Sequence, residues 1–298
     1  MDSPLHELHT VRDFIRWGAS RFNEAELFFG HGTDNALTEA AVLVLHVLHL
    51  PIDLEEGYLE SNLTKQEKLA ALEILQARIE RCVPAAYLTN EAWFGGLSFY
   101  VNEHVLVPRS PIAETIEQAF IPWIDPDEIH HVLDIGTGSA CIPIALATTL
   151  EHVSIDAVDI SADALAVARQ NVEDYGLSER IRLLQGDVFE PVGEQRYDLI
   201  ISNPPYVSQA SYDELPSEYH QEPALGLVAG DDGLDIVRNI MAGVLEHLNE
   251  DGHLLLEVGE SADTLLETYP DLEFTWLEFE RGGDGVFLIS ADQLAKLE

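Results

Sequence analysis

The sequence predicts an α/β fold, with a mainly parallel sheet flanked by helices and a small all-helical domain in front of it. Three observations predict this. Up to about residue 85, apolar residues recur at helical spacing between capping signals. From His131 onward, short apolar and β-branched runs alternate with helical stretches, which is the rhythm of a parallel sheet. The fourth of these runs stops abruptly at Asn203-Pro204-Pro205-Tyr206. Two consecutive prolines have no backbone N–H and cannot continue a sheet ladder.

The elements follow in order. Thr10 to Phe22 sets Val11, Phe14, Ile15 and Ala19 on one helical face. Gly30-His31-Gly32-Thr33-Asp34-Asn35 reads as a turn and cap, and Thr38 to Leu50 as a second helix, apolar nearly all round. Thr64-Lys65-Gln66-Glu67 has the capping-box pattern and opens a helix to about Arg81, before Pro84. These make a helical N-terminal domain over residues 1–85. Trp93-Phe94-Gly95-Gly96-Leu97-Ser98-Phe99 reads as a hairpin around its Gly-Gly step. With a helix from about Ile112 to Phe120, it makes a linker over residues 86–120. Residues 121–298 form the α/β domain. Its strands are expected at His131–Ile135, Val153–Asp159, Ile181–Gln185, Leu199–Ser202 and Gly252–Val258. Phe274–Glu278 and Gly285–Ile289 read as an antiparallel pair at the edge.

Composition restricts the function. The chain has 298 residues, 46% of them hydrophobic, enough for a sizeable core. It carries 54 acidic against 15 basic residues, a net charge of −39. Its lysines are Lys65, Lys68 and Lys296. Nucleic acids are held mainly through Lys and Arg contacts to phosphate, so this balance opposes a direct nucleic-acid substrate or an anionic membrane. It suits a basic protein partner, or a saline interior in which salt screens self-repulsion. Cys82 and Cys141 make a poor disulfide framework, which fits a reducing cytoplasm. The start has no basic segment followed by an apolar one, so no secretory signal is expected. The apolar run Ala40 to Leu50 is too short to span a bilayer. His46, His49, His130 and His131 have no Cys, Asp or Glu at ligand spacing, and no metal site is expected.

Four strand ends carry the chemistry. Val132-Leu133-Asp134-Ile135 feeds Gly136-Thr137-Gly138-Ser139-Ala140-Cys141, a turn whose glycines allow close backbone approach to a ligand. Cys141 stands where a G-x-G-x-x-G pattern would place its third glycine, and no Walker-type Gly-Lys follows. The next strand ends at Asp159, 23 residues after Gly136, where an acid commonly takes ribose hydroxyls. The third ends in Gln185-Gly186-Asp187-Val188, whose carboxylate can accept from an adenine amino group. At the fourth, the Asn203 side-chain oxygen and the Pro204 carbonyl offer two acceptors for a planar –NH2 group, and Tyr206 offers a flat face.

Together these residues resemble the class I S-adenosylmethionine-dependent methyltransferases that act on glutamine side-chain amides. The resemblance covers essentially the whole chain. It implies a Rossmann-like fold and S-adenosylmethionine as cofactor. Gly136, Thr137 and Gly138 would approach the methionine part, Asp159 would hold the ribose, and Asp187 and Val188 would border the adenine. Asn203 and Pro204 would grip the amide close to the cofactor methyl group, Pro205 would shape the loop, and Tyr206 would pack on the amide plane. Ala140 replaces a common glycine, and Val188 stands where an aromatic often flanks adenine. Val107-Pro108-Arg109-Ser110-Pro111-Ile112-Ala113-Glu114 and Phe29-Gly30-His31-Gly32-Thr33-Asp34-Asn35-Ala36 are similar to the branch that modifies ribosomal protein uL3. The release-factor branch is the alternative. That resemblance implies uL3, free or within a large-subunit assembly intermediate, as partner. An adenine N6 DNA methyltransferase shares the Pro-Pro-aromatic loop but conflicts with the charge. A noncatalytic adapter for the ribosomal protein would bind it without turnover. His220 and Glu222 are read as structural.

Overall fold

The computed structural model describes residues 4–297. The chain divides into two compact units. One comprises residues up to Ala92 together with Pro216–Gln221; the other comprises Trp93–Leu215 and the residues from Glu222 on. The segment expected as a linker therefore divides within its first hairpin strand, and a short piece of the α/β half of the sequence belongs to the helical unit.

The helical unit is built on α1 (Val11–Glu24), α2 (Ala36–Val47), α3 (Lys65–Arg81) and α4 (Ala85–Thr89). The caps are those the sequence signals. Thr10 and Asp13 form a capping box on α1, Asn35 accepts from Thr38 N–H at the start of α2, and Thr64 and Glu67 form a capping box on α3. The expected second helix begins and ends earlier than Thr38–Leu50, because Asn35 takes the cap and the helix is over by His49. Phe14, Phe22, Leu43, Val44 and Leu75 fill the centre of this unit.

The second unit starts with the hairpin β1 (Glu91–Phe94) and β2 (Leu97–Tyr100), whose turn holds Gly95 and Gly96 at positive φ. A short helix α5 (Ile112–Glu117) follows, ending before Phe120. Then come β3 (His131–Ile135), α6 (Cys141–Thr149), β4 (Ser154–Asp159), α7 (Ala162–Asp174), β5 (Ile181–Gln185), β6 (Tyr197–Ser202), α8 (Gln209–Glu214), α9 (Asp235–His247), β7 (Leu248–Glu257), α10 (Ala262–Thr268), β8 (Thr275–Trp276), β9 (Val286–Ser290) and α11 (Ala291–Leu294). The seven-stranded sheet runs β5-β4-β3-β6-β7-β9-β8. β3 through β7 are parallel, while β9 is antiparallel to both β7 and β8. The expected edge pair is thus present, with β8 reduced to two residues. Alternate strand residues face opposite layers. Val132, Leu199, Ile201 and Leu255 pack with α5, α6 and α7, whereas Leu133, Ile200, Leu254 and Leu256 pack with α9 and α11.

Register places the site. β3 pairs with β4 on one side and β6 on the other, which is where strand order reverses. Ile135 lies opposite Ser202, and the Ser202 hydroxyl donates to the Ile135 carbonyl at 2.7 Å. The residues that follow, Gly136 and Asn203, must therefore emerge side by side at the carboxyl edge. Such a switch point is the standard ligand crevice of an open α/β sheet.

Candidate functional site

A cavity of about 240 Å³ occupies this crevice. Its walls include Gly136, Thr137, Gly138, Asp159, Asp187, Val188, Asn203, Pro204, Pro205 and Tyr206, so every candidate residue drawn from the sequence lines one cavity. All of it belongs to the second unit.

The glycine turn is held by its neighbours. Gly136 and Thr137 N–H groups donate to the Val158 carbonyl at 2.8 and 3.0 Å. Gly138 N–H donates to Asp159 Oδ2 at 2.9 Å, and Ser161 N–H to Asp159 Oδ1. Gly136 and Gly138 have φ of +75° and +54°, and a Cβ on Gly138 would meet no atom within 4 Å, so the backbone opens directly onto the cavity. Ala140 sits at φ +62° without a glycine's freedom. It is fully buried at the start of α6. Asn171 on α7 donates to the Ser139 carbonyl at 2.9 Å and to the Tyr100 carbonyl at 3.0 Å, so one amide fixes both the turn and the hairpin.

Asp159 is half-buried, and desolvation raises its pKa against the pull of the Ser161 and Gly138 amides. Asp187 is exposed at the rim. Val188 has φ +46°, an uncommon and strained conformation for a β-branched residue, of the kind found at ligand sites. Cys141 also borders the cavity, and burial pushes its thiol up to about 12, so it stays protonated and inert.

The Asn203–Tyr206 loop is stitched down beyond its end. Val207 N–H donates to the Leu227 carbonyl, and Ala229 N–H donates to the Val207 carbonyl. The Ser261 hydroxyl donates to the Tyr206 carbonyl at 2.8 Å, and the Tyr206 hydroxyl donates to Glu257 Oε1 at 3.0 Å. Facing this loop, Arg109 makes a two-pronged pair with Glu222 at 2.7 and 2.8 Å, and Glu222 also accepts from Val107 N–H. Glu222 is thereby structural, as the sequence suggests. In the cavity wall Leu106 packs on Gly226.

Sequence reasoning passed over two acids. Asp134 is 1% exposed, and neither carboxylate oxygen has a well-formed partner; the neighbouring Thr137 hydroxyl is in the same position. Burial lifts Asp134 to about 7, with Thr137 drawing it down and the Asp159 charge raising it further. Buried polar atoms without partners are rare, and Thr137, beside Asp134, lines the cavity. They suit a cationic ligand group bearing N–H donors, which the amino end of S-adenosylmethionine supplies. The residues present therefore fit that cofactor. Glu257, buried at the end of β7, is the second acid. In the sequence both are submerged among 54 acidic residues.

A second hollow lies at the opposite, amino ends of the strands, lined by His131, Arg180, Arg182 and Tyr197 among others. Its arginines are spent on the fold. Arg180 donates to the Ala147, Leu150 and Val153 carbonyls, and Arg182 to Asp156. Among the described residues no cluster of His, Cys, Asp and Glu could hold a metal ion, and no helix is long and apolar enough to cross a membrane. Cys82 and Cys141 are free thiols.

Known proteins resemble this chain in sequence and in fold. The Methyltransferase small domain family matches residues 116–217. A ribosomal protein uL3 glutamine methyltransferase of Neisseria meningitidis serogroup B is 52% identical over 290 residues, covering 97% of this chain and 95% of its own. One from Xanthomonas campestris pv. campestris is 50% identical over 288 residues, covering 97% and 93%. Among solved structures, the hMettl16 catalytic domain superposes with a TM-score of 0.50 over 75% of this chain and 80% of its own, at 20% identity, a likeness of fold. With half of its residues shared along nearly its whole length, the chain belongs to the family of ribosomal protein uL3 glutamine methyltransferases.

Proposed function

We propose that this protein transfers a methyl group from S-adenosylmethionine to the side-chain amide nitrogen (N5) of a glutamine in ribosomal protein uL3. The observation that carries the reading is the adjacency of two strand ends. The glycine turn after β3 and the Asn203-Pro204-Pro205-Tyr206 loop after β6 share one cavity, in a chain half identical to enzymes named for that reaction.

When bound, the cofactor supplies an electrophilic methyl carbon on its sulfonium. Gly136, Thr137 and Gly138 would border its methionine part, with Asp134 accepting from the amino group. Asp159 would take the ribose hydroxyls, and Asp187 and Val188 would border the adenine. Asn203 Oδ1 and the Pro204 carbonyl would accept both hydrogens of the substrate amide. That would orient the nitrogen for transfer and raise its electron density. The nitrogen would take the methyl group as the sulfonium becomes a neutral thioether, and would then release a proton. Positioning and fixed dipoles do the work, with no strong base required. Tyr206 would pack on the amide plane, and Pro205 would keep the loop from continuing the sheet.

The net charge of −39 gives the partner a reason. Ribosomal proteins are basic, so opposite charge steers the encounter and opposes a bare nucleic-acid substrate. The helical unit would contribute to substrate recognition, and the cytoplasm is the compartment where the substrate is made. An assembly intermediate of the large subunit, or the free protein, would be the form presented.

The test is incubation with labelled S-adenosylmethionine and, in parallel, uL3, a class-1 release factor and duplex DNA. Label on uL3 alone, mapped to a glutamine, is the expected result. Label on the release factor would move the chain to the other branch of the family. Label on DNA would overturn the charge argument.

A further inference from the structure

β7 runs through the core as Leu254, Leu255 and Leu256 and ends on a carboxylate, Glu257. Glu257 is 4% exposed and lines the cavity beside Tyr206. Its two oxygens hold different partners. The Tyr206 hydroxyl donates to Oε1 at 3.0 Å, and the Ser110 hydroxyl donates to Oε2 at 2.5 Å. Ser110 also accepts from Ile112 N–H at 3.2 Å, which fixes it at the head of α5.

The rest of Tyr206 is fenced as well. Its carbonyl is held by Ser261, and its ring lies against Gly259, where a Cβ would stand 2.5 Å from a ring carbon. A tyrosine seated on backbone at one face and held at its hydroxyl has little freedom of angle. A buried carboxylate costs free energy that a leucine at the same position would not. The charged groups facing Glu257 are Arg109 on the preceding linker and Asp284 on the β8–β9 connection. Burial raises the pKa of Glu257, while its two hydroxyl donors favour the ionised form.

We infer that Glu257 is a positioning residue: it sets the angle of the Tyr206 ring against which the substrate amide packs, and through Ser110 it ties that angle to the linker. The inference rests on the methyl-transfer reading above. Glu257 acts through Tyr206, so its effect falls on the methyl-transfer rate and not on cofactor capture.

The experiment compares wild type with Glu257→Leu, Glu257→Gln, Tyr206→Phe and the Leu/Phe double variant. Turnover on uL3 is measured at saturating S-adenosylmethionine, and cofactor affinity by calorimetry. The ring is followed independently by NMR of ring-labelled tyrosine, with Tyr206→Phe assigning its signal. Glu257→Leu and Tyr206→Phe are each expected to lower kcat about tenfold at unchanged cofactor affinity. The double variant should be no worse than the worse single one, because all remove the same bond. Glu257→Gln, which keeps an acceptor oxygen, should recover most of the loss. The Tyr206 ring should flip slowly in wild type and fast in Glu257→Leu.

Multiplying losses in the double variant, or a ring unaffected by Glu257→Leu, would overturn the inference. Should Glu257→Leu fail to fold, Ser110→Ala replaces it, and an unchanged ring and kcat there would be equally fatal. A wild type that methylates nothing while the ring responds as described would remove the functional reading and leave the positioning role standing. An active wild type with an unresponsive ring would do the reverse.

Discussion

Arg78 donates to Glu218 at 3.1 Å although the two residues are 140 apart in the chain. Both side chains are buried, and the pair is part of a larger knot. Arg78 also donates to Glu39 at 2.6 Å and to the Phe28 carbonyl at 2.9 Å. The Thr33 hydroxyl donates to Glu39, and Phe28 N–H to Glu218. Glu218 lies in Pro216–Gln221, the short segment that joins the helical unit from a position just beyond the Asn203–Tyr206 loop. One guanidinium therefore secures Pro216–Gln221 within the helical unit.

Arg78→Ala would strand two buried carboxylates. The expected cost is about 3–5 kcal/mol, the range for breaking a buried ion pair from one side. It is measured by urea unfolding of the variant against wild type, with hydrogen exchange locating the damage. Faster exchange should concentrate in residues 216–221. A cost below about 1 kcal/mol would show that the knot is not holding this segment.

Asp134 gives a pH dependence with a definite sign. Its pKa rises from 3.8 to about 7 on folding. The stability it contributes is therefore complete below its unfolded pKa and is lost as pH rises through about 7. The buried ionised form costs on the order of 4 kcal/mol at the upper end of that window. Asp159 and Glu257, also raised by burial, add in the same direction, whereas the lowered carboxylates of Asp198 and Asp232 act at lower pH and in the opposite sense. Without cofactor, the melting temperature of wild type relative to Asp134→Asn should fall between pH 5.5 and 7.5. Cofactor affinity should move the other way, rising roughly tenfold or more over the same range, because the ionised carboxylate receives the amino group. In Asp134→Asn it should be weak and flat with pH. Parallel melting curves for the two proteins would refute the assignment.

The sequence made the sheet legible because its strands are apolar runs bounded by strong breaks, and Pro204-Pro205 ended β6 unambiguously. The glycine turn proposed to hold the cofactor was legible because Gly136 and Gly138 sit where β3 leads into a helix. The buried acids were not. Asp134 and Glu257 differ from dozens of surface acids only in their burial, which depends on the register of β3 between β4 and β6 and of β7 between β6 and β9. The Arg78 knot was invisible for a related reason: its partners, Glu39 and Glu218, lie 39 and 140 residues away, and nothing local marks them.

Charge self-repulsion makes stability depend on salt. With 54 acidic and 15 basic residues, the folded chain gathers negative charge at a density that unfolding relieves. Screening removes that penalty at molar ionic strength. The melting temperature should rise by roughly 5–10 °C between about 20 mM and 1 M KCl, whereas the association rate with uL3 should fall over the same range. A melting temperature independent of salt would mean that the carboxylates are spaced widely enough to ignore one another.

Asn203→Ala would separate the proposed grip on the substrate from the proposed hold on the cofactor. The residue is half-buried, its backbone carbonyl beside Gly136, on the wall of the cavity where the glycine turn and the Pro-Pro loop meet. Removing its oxygen leaves one of the two acceptors, the Pro204 carbonyl, so the amide can pivot and its nitrogen loses both electron density and aim. Loss of a preorganised contact of this kind costs about 10²–10³-fold in turnover. The glycine turn is held by Val158 and Asp159. Cofactor affinity, read by calorimetry, should therefore stay within about twofold of wild type, and the melting temperature should be little changed. Asn203→Asp is the sharper probe. It keeps an acceptor at the same reach but adds a charge, which would favour a bound cationic cofactor while restoring only part of the transfer rate. Should Asn203→Ala abolish cofactor binding along with turnover, the residue would belong to the cofactor site, and the amide grip would have to be reassigned to the Pro204 carbonyl and Tyr206.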